Sequence, residues 1–118
     1  MTGAGRVDGG GAWPVVRLRG EIDLANVEAL TKVAEDAVSN HDAGLVVDLS
    51  GVTFLDSTGL RLLFRLARRL GDRQQSLRLV VPEGARIARV LDLAGVGTVA
   101  EVLHAYDPDA SDERGARA

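Results

Sequence analysis

The chain has 118 residues, enough for one domain with a single core, and its 46% hydrophobic and 26% charged composition is that of a globular protein rather than a disordered one. Cysteine is absent, which excludes disulfides, thiolate metal sites and a cysteine nucleophile and fits a reducing compartment; the formal charge of −3 argues against nucleic acid as the main partner, because phosphate binding needs clustered positive charge. No run approaches the roughly 20 apolar residues of a membrane span, and residues 1–6 lack the apolar centre of a signal peptide, so the expectation is a cytoplasmic chain with no membrane association.

Trp13, Phe54, Phe64 and Tyr106 are the only aromatics, so the core must be built from Val, Leu, Ile and Ala. Residues 1–12 are rich in glycine and predict a flexible arm or a weak edge strand around Arg6 and Val7. From Trp13, Val16 and Leu18 alternate with Arg17 and Arg19 in a strand that closes at Gly20 and Glu21. Asn26 is placed to cap a helix running to about Asn40, with Val27, Leu30, Ala34, Ala37 and Val38 on one face and Glu28, Lys32, Glu35 and Asp36 on the wet side. After Gly44, the nearly continuous apolar run from Leu45 to Leu49 predicts a strand covered on both faces, ended by a turn at Ser50 and Gly51.

Val52, Thr53, Phe54 and Leu55 lead into Asp56-Ser57-Thr58-Gly59 and a helix from about Ser57 to Leu70, stopped by Gly71. On a wheel of about 100° per residue, Arg61, Arg65, Arg68 and Arg69 share one arc opposite a leucine-rich face, a solvated stripe against a buried one. Leu77 to Val81 predicts a strand, residues 85–93 a helix ended by Gly95, and Thr98 to Val102 a last short strand. The tail, residues 105–118, is polar and predicted to be disordered. Alternating strands and helices predict an α/β fold: one mixed sheet of four to five strands with helices packed against it.

Ser57 stands where unpaired backbone N–H groups and the positive end of a helix dipole converge. A phosphate there would meet those donors, with Arg61 one turn further on about the same side and the Asp56 carboxylate repelling it. Local chemistry alone favours the plainer reading, in which Ser57 or Asp56 is merely a helix cap.

The stretch from Leu45 through Asp48, Phe54, Asp56-Ser57-Thr58-Gly59 and Leu60 resembles the signature of STAS domains, the family of bacterial anti-sigma factor antagonists. Gly20-Glu21-Ile22-Asp23-Leu24 resembles their upstream motif, and the stretch from Arg89 to Val96 their third helix and its end. The resemblance covers residues 13–104 in order. It implies a protein that binds an anti-sigma factor, itself a serine kinase, and so frees a sigma factor. The kinase uses ATP to phosphorylate the serine, which ends the binding, and a serine phosphatase resets the switch. Carried over, Ser57 is the phosphorylation site, and Glu21, Asp23, Asp56, Ser57, Thr58, Gly59 and Arg61 form the partner-binding surface. The glycine-rich first strand and Arg61, where many relatives carry a small residue, depart from the pattern. A STAS scaffold or transporter accessory that is never phosphorylated is the competing reading.

Catalysis is not expected. A nucleophile elbow needs glycine two residues before the serine, where this chain has Leu55, and the two histidines, His41 and His104, lie at a helix end and near the tail. Gly95-Val96-Gly97 follows a helix instead of opening one, the reverse of a dinucleotide fingerprint. Asp107, Asp109 and Asp112 lack the glycine and closing glutamate of a calcium loop. Neither cofactor nor metal is expected.

Overall fold

The computed structural model describes residues 3–7 and 13–105. The tail expected to be disordered lies outside the described residues from 106 onward, as do residues 1–2 and 8–12 of the N-terminal arm. In chain order the elements are β1 (Gly3–Val7), β2 (Val15–Ile22), α1 (Val27–Ala37), β3 (Gly44–Leu55), α2 (Ser57–Asp72), β4 (Ser76–Val80), α3 (Arg86–Ala94), a 3-10 turn (Val96–Thr98) and β5 (Glu101–Leu103). The strands form one sheet in sequence order, β1 antiparallel to β2 and the remaining pairs parallel. This is the mixed-sheet α/β architecture the sequence predicts. Within the glycine-rich arm, Gly3 to Val7 pair with Arg19 to Val15 as an edge strand.

Parallel neighbours need a crossover, and a strand order that never reverses lets every crossover return over the same face. The core shows the result. Val16, Leu18 and Ile22 of β2, Leu45, Val47 and Leu49 of β3 and Leu79 of β4 meet Leu30 and Ala34 of α1, Leu63 and Leu66 of α2 and Ile87 and Leu91 of α3 in one cluster. The other face carries a small cluster of Val15, Val46 and Val80 under Trp13, with no helix of the described residues against it. There the Arg78 guanidinium lies 3.8 Å from the Trp13 ring centroid and pairs with Glu101 at 2.8 Å, while Arg17 reaches Asp48 at 3.4 Å. Aliphatic arginine stems thus cover apolar strand surface and keep their charged heads wet.

Where the sequence predicts a turn at Ser50 and Gly51, the chain instead continues as strand, and β3 runs unbroken to Leu55. The reason lies in its register with β2. Val16 pairs with Val47, Gly20 with Val52 and Ile22 with Leu55, so β3 gains a residue on β2 at each of two irregularities. Each extra residue reverses which side chains face the helices. Core positions therefore pass from Leu45, Val47 and Leu49 to Val52 and then Leu55, a broken alternation that imitates a turn.

Four further expectations are corrected. Helix α1 ends at Ala37, because Val38 is extended, and does not reach Asn40. Asn26 sits at the N-cap position but makes no capping bond with its side chain. Its amide instead donates to the Glu21 carbonyl (2.8 Å) and accepts from the Asp23 N–H (3.1 Å), clasping the loop that leaves β2. The segment expected as a last strand from Thr98 is first a 3-10 turn and becomes strand only at Glu101. Glu35, expected on the wet side, is half-buried between α1 and α2, 3.2 Å from Arg69. Gly95 ends α3 in the left-handed conformation (φ 78°), which glycine adopts without a Cβ clash.

Candidate functional site

Strands β2 and β3 extend past their neighbours. Val80, the last residue of β4, pairs with Asp48, well short of Leu55, so the carboxyl ends of β2 and β3 project with the loops that follow them. Asp56 leaves β3 in extended conformation and caps α2. Its Oδ1 accepts from the Thr58 N–H (2.9 Å), the Gly59 N–H (3.1 Å) and the Thr58 hydroxyl (2.6 Å). These bonds, the Thr58 hydroxyl first, hold the Asp56 carboxyl below its ordinary pKa, so it is anionic at neutral pH. Its own N–H reaches the Ile22 carbonyl (3.3 Å), locking the start of α2 to the end of β2.

The two capping alternatives therefore separate: Asp56 is the cap. Ser57, the first residue of α2, is exposed, and its hydroxyl makes no hydrogen bond among the described residues. Thr58 is half-buried and its hydroxyl is committed to Asp56. The sequence places the helix donors at the disposal of a phosphate on Ser57; in the structure the Thr58 and Gly59 N–H groups are already taken by Asp56. A group added at Ser57 thus points into solvent beside a fixed negative charge.

Gly59 is buried, so it belongs beneath the expected partner surface and not on it. A Cβ at this position would lie 2.6 Å from Leu55 Cδ1, 3.0 Å from its Cγ and 3.1 Å from Ile22 Cγ2. Glycine here lets α2 start close against the ends of β2 and β3, and that closeness sets where Ser57 stands. Glu21 and Ile22 pair with Phe54 and Leu55, and Asp23 opens the clasped loop after β2, so Glu21, Asp23, Asp56, Ser57 and Thr58 share this end of the sheet. Arg61 is exposed one turn along α2; Arg61, Arg65 and Arg68 enter no ion pair among the described residues, whereas Arg69 is held by Glu35.

Two exposed apolar residues at this end, Leu24 and Phe54, escaped the sequence analysis. The signal for Phe54 was the broken alternation of β3, which turns it away from the core; for Leu24 it was a large apolar side chain directly after Asp23 in the loop that leaves β2. His104 places its Nδ1 3.2 Å from the Val81 carbonyl beyond β5, and His41 is exposed in the loop before β3, so neither stands beside Ser57 as a base. Among the described residues no group of three or more His, Asp or Glu could hold a metal ion, and no helix is long and apolar enough to cross a membrane.

Comparison with known proteins adds to this geometry. The family model described as "Mlab, STAS domain" matches residues 6–104. The anti-sigma-F factor antagonist RsfB of Mycobacterium tuberculosis is 36% identical over 83 residues, spanning 70% of this chain and 66% of RsfB, just under two thirds of its length. The crystal structure of an anti-sigma factor antagonist from Mycobacterium paratuberculosis superposes with a TM-score of 0.81 at 28% identity, covering 97% of this chain and 95% of that one. The Bacillus cell fate determinant SpoIIAA in its phosphorylated form shares the fold, with a TM-score of 0.60 at 23% identity over 97% of this chain and 99% of its own.

Proposed function

This chain belongs to the STAS-domain family, and on that premise we propose that it is an anti-sigma factor antagonist whose binding is switched off by phosphorylation of Ser57. The observation that carries the proposal is the division of labour at the start of α2. Asp56 performs the capping, Thr58 is tied to Asp56, and the Ser57 hydroxyl alone is exposed and unengaged. A kinase can reach it without unfolding the helix.

In the unmodified state, the surface around Ser57, with Glu21 and Asp23 on one side and Arg61 on the other, binds an anti-sigma factor that is itself a serine kinase, and the sigma factor is released. Phosphorylation adds about −1.5 to −2 charges at neutral pH. That charge arrives beside the Asp56 carboxylate, and the Thr58 and Gly59 N–H groups that could neutralise it are occupied. A partner closing over the site would have to strip water from a dianion facing like charge, so the complex dissociates. A serine phosphatase restores the binding form. The role is that of a cytoplasmic binding switch and not of a catalyst.

Incubating the chain with its anti-sigma kinase and ATP, followed by peptide mass spectrometry, is the test. One phosphate on Ser57 and none on Ser57→Ala is the expected result. Modification on Thr58, or none at all, would refute the switch.

A further inference from the structure

We propose that the groove between α3 and β5 binds a small zwitterion with an aliphatic side chain, an apolar α-amino acid of the size of leucine. None of the residues lining it belongs to the site around Ser57, and the inference does not depend on the switch.

The groove follows from the way the edge of the sheet is built. Val102 of β5 pairs with Leu79 of β4, so both side chains rise on the helix face. Leu79 is fully buried in the core, whereas Val102, on the edge strand, is 38% exposed. The residues of α3 and of the 3-10 turn that border it include the small Ala88 and Gly97, and a Cβ on Gly97 would meet nothing within 4 Å. What remains is a half-open cavity of about 460 Å³ with apolar walls of Val81, Ala88, Leu91 and Val102. Sites for small ligands occupy roughly 300–1,000 Å³ and combine such walls with a few polar groups.

Three polar side chains border these walls: Arg89, Asp92 and His104. Neither Arg89 nor Asp92 enters an ion pair among the described residues, although they stand three positions apart on one helix. His104 has a fixed role. Its Nδ1 lies 3.2 Å from the Val81 carbonyl oxygen, which can only accept, so Nδ1 carries the proton and Nε2 of the neutral ring is an acceptor. The groove thus offers one cationic donor, the Arg89 guanidinium, and two acceptors, the Asp92 carboxylate and His104 Nε2.

That set specifies the ligand. An aliphatic acid would satisfy Arg89 but bring its carboxylate toward that of Asp92, and an aliphatic amine would do the reverse with Arg89. A zwitterion serves both, its carboxylate on the guanidinium and its ammonium on Asp92 and His104. Side chains three apart on a helix have Cβ atoms about 5–6 Å from each other, a spacing that two charged groups attached to one carbon can bridge. The aliphatic side chain then covers Val81, Leu91 and Val102 and takes their remaining apolar surface out of water.

The test titrates the full unphosphorylated chain with L-leucine, following backbone amide shifts by NMR and affinity by calorimetry. Saturable binding is expected, with the shifts concentrated at residues 88–92 and 102–104. Isocaproate, which lacks the ammonium, and isoamylamine, which lacks the carboxylate, should each bind at least tenfold more weakly than leucine. Arg89→Ala and Asp92→Ala should weaken leucine binding by at least tenfold while unfolding at the wild-type temperature. Leu93→Ala, at a position 73% exposed on α3 and outside the groove, should bind within twofold of wild type. Equal binding of the acid or the amine, shifts centred elsewhere, or no saturation up to about 20 mM leucine would overturn the assignment. Shifts at the groove that follow protein concentration and not leucine would show that it takes a second copy of this chain, which would overturn it equally.

Discussion

Replacing Gly59 and Gly71 by alanine makes the same chemical change twice in α2, and the structure assigns the two opposite signs. An alanine is favoured over glycine within a helix by about 0.5–1 kcal/mol. At Gly71 a Cβ meets nothing within 4 Å, so that gain is uncompensated and Gly71→Ala should stabilise the fold by up to about 0.5–1 kcal/mol. At Gly59 the Cβ lands 2.6 Å from Leu55 Cδ1 and 3.1 Å from Ile22 Cγ2, both on buried side chains packed under the helices. Overpacking of this kind costs about 1–3 kcal/mol, which outweighs the helix gain and leaves a net loss near 1 kcal/mol. For a domain of this size, 1 kcal/mol moves the melting temperature by roughly 4–8 °C. Thermal unfolding followed by circular dichroism should show Gly59→Ala melting lower than wild type by about that amount and Gly71→Ala melting a few degrees higher. A rise in Tm for Gly59→Ala comparable with that of Gly71→Ala would refute the close seat of α2 on β2 and β3.

The remaining predictions concern the groups that hold the site and its surroundings. Because the folded Asp56 carboxyl lies below its ordinary value of 3.8, the unfolded chain binds more protons around that pH; the Asp56 contribution is complete above about pH 5 and disappears as pH falls through the lower folded value. Urea unfolding across this range should show a shallower acid limb for Asp56→Asn than for wild type, and an identical limb would contradict the capping bonds. The buried Gln75 amide donates to the Ser39 and Asp42 carbonyls at 2.8 Å each, so Gln75→Ala should cost about 1–2 kcal/mol in urea unfolding and loosen the loop between α1 and β3. Arg78→Ala removes the guanidinium from the Trp13 ring and from Glu101; indole fluorescence should change while stability falls by no more than about 1 kcal/mol.

The alternation of strand and helix, the leucine face of α2 and the arginine stripe opposite it were legible because each follows a simple period. The failures occur where two periods meet or where a side chain has a choice of partner. Two register shifts in β3 moved its inward positions from Leu49 to Val52 and then to Leu55, and no single period describes such a strand. That same break concealed Phe54, whose exposure depends on which irregularity precedes it. Asn26 has the chemistry of a cap, but the amide that could cap α1 instead holds the loop to Glu21 and Asp23. Glu35 has the polarity of a surface residue and is drawn inward by Arg69 of a helix that its own sequence neighbourhood does not contain. At the site, the motif located Ser57 but not its hydrogen-bonding state. Only the geometry shows that Asp56 takes both the Thr58 and Gly59 N–H groups and leaves the serine hydroxyl unengaged.

The most direct test of that state compares the affinity of the anti-sigma kinase for four forms of this chain: unmodified, phosphorylated on Ser57, Ser57→Ala and Ser57→Asp. The Ser57 switch requires tight binding by the unmodified chain and Ser57→Ala, and binding weakened by at least tenfold in the phosphorylated chain and Ser57→Asp. Equal affinity of the unmodified and phosphorylated forms would contradict it.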